Sequence, residues 1–223
     1  MKTKRKALLL TLCAVLLVAA SVFGTIAYLT DTDSVKNTFT VGKVYLNLDE
    51  ADVKTDGSYE TNHDSRVKEN TYHLLPGHTY YKDPTVTVLA GSEDAYVRMM
   101  VEVKNIDQLK LALPGAEYYA DNVFLLQKLC GGWDADTWVF EGYTESADGK
   151  TGTYEFRYKE VVKKNADENE AIVLDDLFET ITVPGEIDNT HLAYLAEVEI
   201  NVTAHAIQAD GFADADAAWN AFN

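Results

Sequence analysis

Two stretches of strict two-residue alternation constrain this chain more than anything else in it. Val97, Met99, Val101 and Val103 are separated by Arg98, Met100 and Glu102. Near the far end, Val198, Ile200, Val202, Ala204 and Ala206 alternate with Glu199, Asn201, Thr203 and His205. A period of two puts one set of side chains on each face of a strand, so each stretch predicts a strand with one buried and one wet face. Such strands cannot bury their apolar faces alone and require a second layer.

Weaker signals of the same kind fill the rest. Phe39, Val41, Val44, Leu46 and Leu48 mark two short alternating stretches around Gly42, which permits a bulge. Asp49–Tyr72 is polar, turns at Asp56-Gly57, and reads as a surface excursion. A turn at Leu74-Leu75-Pro76-Gly77 leads to alternation over Thr85–Leu89, and Gly91–Asp94 is another turn. Thr137–Tyr143 and Thr153–Val162 read as a hairpin through Asp148-Gly149-Lys150, and Leu177–Val183 as a strand stopped by Pro184-Gly185.

Short helices are expected in three places. Val123, Leu126, Gln127 and Cys130 form one, closed by Gly131-Gly132 as a C-cap; Asn189–Ala196 is the second. In the third, Asp214–Phe222, Asp214 is placed to cap, and Trp219 and Phe222 are expected to pack on the sheets. Strands without a βαβ rhythm predict an all-β chain. The expected fold is an antiparallel, jelly-roll-like β-sandwich with short helical insertions and a short C-terminal helix.

The N-terminus is a different kind of segment. Lys2, Lys4, Arg5 and Lys6 precede an uncharged run from Ala7 to Ile26, and Gly24, Thr25 and Ala27 are small. A basic end, an apolar run and small residues in that order read as a signal peptide over residues 1–27. Thr25 and Ala27 at −3 and −1 place the cut before Tyr28; a cut after Ala20, with Val18 at −3, is the alternative, and an uncleaved anchor is a further one. Residues 28–223 then form one domain, secreted or held at the cell surface, with membrane contact only through the signal segment. Loss of the four basic residues takes the formal charge from −17 to −21. Such acidity argues against nucleic acid and anionic lipid as partners. Cys130 has no partner once Cys13 leaves, and reads as a buried small apolar residue or a site of intermolecular pairing.

No chemistry-bearing motif stands out. There is no His-Glu-x-x-His; His73 and His78 flank a turn, and His63, His191 and His205 are scattered. A Gly-x-Ser-x-Gly elbow and a phosphate-cradling glycine loop are also missing. The acidic doublets Asp31/Asp33, Asp134/Asp136, Asp175/Asp176 and Asp214/Asp216 lack the ligand set of an EF-hand, leaving only weak calcium binding open. No catalytic residue, metal or cofactor is assigned, and the chain is read as a non-enzyme.

Gly24-Thr25-Ile26-Ala27-Tyr28-Leu29-Thr30-Asp31, followed by Asn37-Thr38-Phe39-Thr40-Val41-Gly42, resembles the start of the TasA/camelysin family of exported Gram-positive proteins. Leu75-Pro76-Gly77, Lys82-Asp83-Pro84-Thr85-Val86, Ala95-Tyr96-Val97 and the ending Val202–Phe212 are similar to later parts of that family, while about 105–170 matches loosely, as an insertion. The resemblance implies processing by a SipW-type signal peptidase, a jelly-roll domain, and a homo-oligomeric fibre in a biofilm matrix. In such fibres the N-terminal strand of one subunit completes a sheet of the next. Here that donor is Tyr28–Phe39, with Val35 and Phe39 as anchors. A monomeric surface adhesin is the alternative; the family's metallopeptidase label ranks lower because no zinc motif matches.

Overall fold

The computed structural model describes residue 6 and residues 12–17, 43–60, 64–113, 123–164 and 169–222. The chain divides into two compact units, Met1–Val41 and Gly42–Asn223. In the first, residues 12–17 are helical, with Leu12, Val15, Leu16 and Leu17 exposed. No described helix is long and apolar enough to cross a membrane. The cleavage residues Thr25, Ala27 and Tyr28 and the anchors Val35 and Phe39 lie outside the described residues.

The second unit is built of antiparallel sheets with a few short helices. Sheet I has the order β2 (Arg66–Val67), β1 (Leu46–Ala51), β4 (Thr85–Val88), β9 (Ile172–Val173). Sheet II has the order β3 (Thr79–Tyr81), β10 (Thr180–Thr182), β6 (Cys130–Gly131). Sheet III has the order β11 (Glu199–Gln208), β5 (Ala95–Lys104), β8 (Thr151–Tyr158), β7 (Trp138–Glu145). The helices are α1 (Ile106–Ala112), α2 (Val123–Leu129), α3 (Asn189–Leu195) and α4 (Ala215–Phe222).

The alternation of β5 behaves as its period requires on one face. Val97, Met99, Val101 and Val103 are all fully buried, and each contributes about 1.5–3 kcal/mol by leaving water. Tyr154 and Phe156 of β8 extend this face, and Val86 and Val88 of β4 join the same core. Trp133 packs between Phe156 and Phe178, 5.0 Å from each ring.

The other face of sheet III is covered by α4. Asp214 accepts from the Ala217 N–H at 2.8 Å, which starts the helix as the sequence predicts. Trp219 is buried and Phe222 is 41 % exposed, so only the first of the aromatic pair is enclosed. Arg98, on what alternation marks as the wet face, is buried beneath them.

Elsewhere tertiary pairing overrode local pattern. Gly131-Gly132 does not cap α2: Cys130 and Gly131 leave the helix to pair with Ile181 and Thr180 of β10. β3 and β9 are too short to show a period, and the strand expected over Leu177–Val183 is paired only over Thr180–Thr182. β1 runs into the segment expected to be a surface excursion, and Glu50 and Ala51 are buried there. Residues 138–158 supply β7 and β8, half of sheet III.

Candidate functional site

The two edges of sheet III differ. The β7 edge carries a register shift between Phe140 and Gly142, with Glu141 exposed at the irregularity. Bulges and charges of this kind obstruct edge-to-edge pairing. The β11 edge has no such irregularity: its ten residues pair with β5 without a shift, it contains no proline, lysine or glycine, and its charged residue, Glu199, stands at the first position.

The polarity of that edge follows from the ladder. Ala209 donates to the Asp94 carbonyl at 2.7 Å, which makes this an exchanging antiparallel pair. Alternation then turns the main-chain groups of Glu199, Asn201, Thr203, His205 and Ile207 towards β5. The N–H and C=O of Ile200, Val202, Ala204 and Ala206 point away, and among the described residues no strand pairs with them. The same four side chains face inward, yet all are only half-buried, unlike their fully buried counterparts on β5.

A groove of about 1060 Å³ opens beside the N-terminal half of β11. Its apolar wall includes Leu48 of β1, Leu74, Leu192 and Leu195 of α3, and Ile200 and Val202. Asp188 orients α3 by accepting from the N–H groups of Thr190 and His191 at 2.9 and 3.0 Å, and those contacts hold its carboxyl below the usual range. β1 contributes a second partly open edge: the ladder with β4 turns the main chain of Leu46 and Leu48 outward, and Lys68 Nζ caps the Leu48 carbonyl.

The polar side of the groove includes Glu50, Asn70 and Lys82. Lys82 Nζ contacts Glu50 Oε2, and Asn70 Nδ2 donates to Glu50 Oε1 at 2.9 Å. Asn70 Nδ2 also donates to the Ala51 carbonyl at 2.8 Å, and its Oδ1 accepts from the Val53 N–H at 3.1 Å. The Lys82 and Glu50 side chains retain 11 % and 8 % of their exposure. Next to them, Arg66 donates to Asp49 at 2.9 Å and Asp83 at 2.6 Å, tying β1 and β2 to the turn after β3. Tyr72 borders this cluster, and burial pushes its phenol up.

The pattern reading missed the cluster, although parity held a signal for it. Glu50 continues Leu46 and Leu48 on the same face of β1, and Lys82 continues the buried Tyr80. The residues considered for chemistry fare differently. His73 lines the groove, His191 contacts its own helix cap Asp188, and His63 lies outside the described residues. His205, among the residues that alternate with the apolar set of β11, accepts from Arg98 Nε at 3.2 Å and lies 5.1 Å from the Phe222 ring. Burial, and then the Arg98 charge, pull its imidazole below the usual range. Cys130 is buried, and burial pushes its thiol up. Asp134 is engaged locally with Thr137, and Asp216 of α4 pairs with Arg157 of β8. Among the described residues no group of three or more His, Cys, Asp or Glu is arranged to hold a metal ion.

No family model matches the chain, and neither a curated protein nor a solved structure matches it.

Proposed function

We propose that the chain is an exported structural subunit of the cell surface or biofilm matrix, assembling into fibres by strand addition. The domain from Tyr28 onward is read as a jelly-roll-like sandwich, and the N-terminal segment of one copy seats along β11 of the next. One observation carries this reading: a ten-residue edge strand in unbroken register, whose outward main-chain groups meet no strand among the described residues, with a groove of mixed polarity beside its N-terminal half. An extended segment there gains main-chain bonds from Ile200, Val202, Ala204 and Ala206, while its alternate side chains fill the groove. Within the donor, Val35 and Phe39 share one strand face, as alternate positions do, and supply the apolar anchors. Export gates assembly, because the donor is released only when a SipW-type peptidase cuts before Tyr28.

A monomeric surface module that binds a foreign peptide is the second reading, since the same groove and edge suit any extended segment. Electron microscopy and size-exclusion chromatography of protein starting at Tyr28 separate the two. Filaments that disappear when residues 28–36 are deleted support self-assembly. A monomer at high concentration across salt and pH overturns it in favour of a displayed module, and filaments that survive the deletion remove the donor role from that segment.

A further inference from the structure

We propose that Lys82 and Asn70 become joined by an intramolecular amide bond, with Glu50 as the proton carrier. The observation is the convergence of an amine and a carboxamide on the two oxygens of one largely buried carboxylate. Lys82 Nζ contacts Oε2, and Asn70 Nδ2 donates to Oε1 at 2.9 Å.

The orientation of Asn70 is fixed by three partners that agree. Nδ2 faces two acceptors, Glu50 Oε1 and the Ala51 carbonyl, while Oδ1 faces a donor, the Val53 N–H at 3.1 Å. The nitrogen that must leave therefore lies against the group able to protonate it. The oxygen that must take up charge lies against a main-chain donor, as a developing oxyanion requires.

The step balances without a cofactor or oxidant. Lys82 passes one ammonium proton to Glu50, and the neutral Nζ attacks Asn70 Cγ, forming the new C–N bond. Negative charge moves onto Oδ1 and is held by the Val53 N–H. Glu50 protonates Nδ2 and accepts the second proton from Nζ; the Cγ–Nδ2 bond breaks and ammonia departs. The proton left on Glu50 passes to water or to the leaving ammonia. All three residues line the groove, which gives ammonia a path out. Proximity supplies most of what the reaction needs, because the fold brings the amide and the amine to the two oxygens of one carboxylate.

The product would tie the segment after β2 to the end of β3, along the wall that the proposed strand acceptor shares. It forms within one subunit and does not depend on fibre assembly.

The test is the intact mass of the folded wild-type chain, followed by digestion at Tyr72 or Tyr80, between the two residues. The expected result is a mass lower by one ammonia, with fragments bearing Asn70 and Lys82 still joined. Lys82→Arg should keep its full mass, and Glu50→Gln should form the bond at least about ten-fold more slowly. A wild-type chain of full mass overturns the proposal. So does an ammonia loss without joined fragments, which would mark a cyclic imide at Asn70. Wild-type reaction rates in Glu50→Gln would overturn the role given to Glu50.

Discussion

The guanidinium of Arg98 stacks 4.4 Å from the centre of the Trp219 ring, and this contact seats α4 on the outer face of sheet III. Arg98 is 6 % exposed, so the indole serves as the lid of a buried charge that also reaches Glu155 at 3.4 Å. Trp219→Ala should destabilise the domain by about 3–5 kcal/mol, as large-to-small changes at buried aromatics do. Phe222→Ala, at the exposed end of the helix, should cost about 1 kcal/mol. Equilibrium denaturation of both variants checks the ratio.

His205 makes this contact pH-dependent. Its Nδ1 accepts from Arg98, so a proton there removes the bond and places two cations side by side. The folded-state imidazole sits below its ordinary value near 6.5, so the unfolded chain binds more protons below that value. Its stabilising contribution is complete above about pH 6.5 and is lost as pH falls through the folded value. Urea unfolding at about pH 5 and about pH 8 should show a larger acid-induced loss for wild type than for His205→Gln.

Two glycines separate strain from crowding. Gly57 has φ +82°, and a Cβ there would stand 2.6 Å from Tyr80 Cα. Gly91 has φ +76° with open space around it. Gly57→Ala should cost about 2–4 kcal/mol, combining left-handed strain with overpacking, and Gly91→Ala about 1 kcal/mol. Thermal or chemical unfolding that ranks them equally would contradict the close approach at Tyr80.

Parity on β11 gives a paired test of the proposed acceptor edge. Ala204→Pro removes an N–H aimed away from β5 and should leave domain stability nearly intact while stopping filament growth. Thr203→Pro removes a ladder bond to Met100 and should cost about 1–3 kcal/mol by leaving that carbonyl unpaired. Thermal unfolding and electron microscopy of both variants, side by side, read the two effects.

Charge should govern assembly as well. Packing subunits that start at Tyr28, as proposed, with a formal charge of −21 against −17 for the full chain, costs Coulomb energy that salt screens over about 10 Å at 0.1 M. Filament yield followed by sedimentation should therefore rise with salt. Yield indifferent to ionic strength would count against close apposition of these surfaces.

The sequence by itself determined the elements whose pattern is long enough to be unambiguous. β5, β11, the β7–β8 hairpin, α3 and α4 follow from local signals, among them periods of two and 3.6 and the cap Asp214, because each depends on neighbours within a few residues. Only the tertiary structure decided the rest. β6 exists because Ile181 and Thr180 lie beside Cys130 and Gly131, and no local preference marks such a two-residue strand. Arg98 sits on a face that alternation calls wet and is buried because a helix from the far end of the chain covers it. The Glu50–Asn70–Lys82 convergence likewise joins positions 12 to 32 apart, and the groove joins Leu48 to Val202, so burial and partner arise together and only on folding.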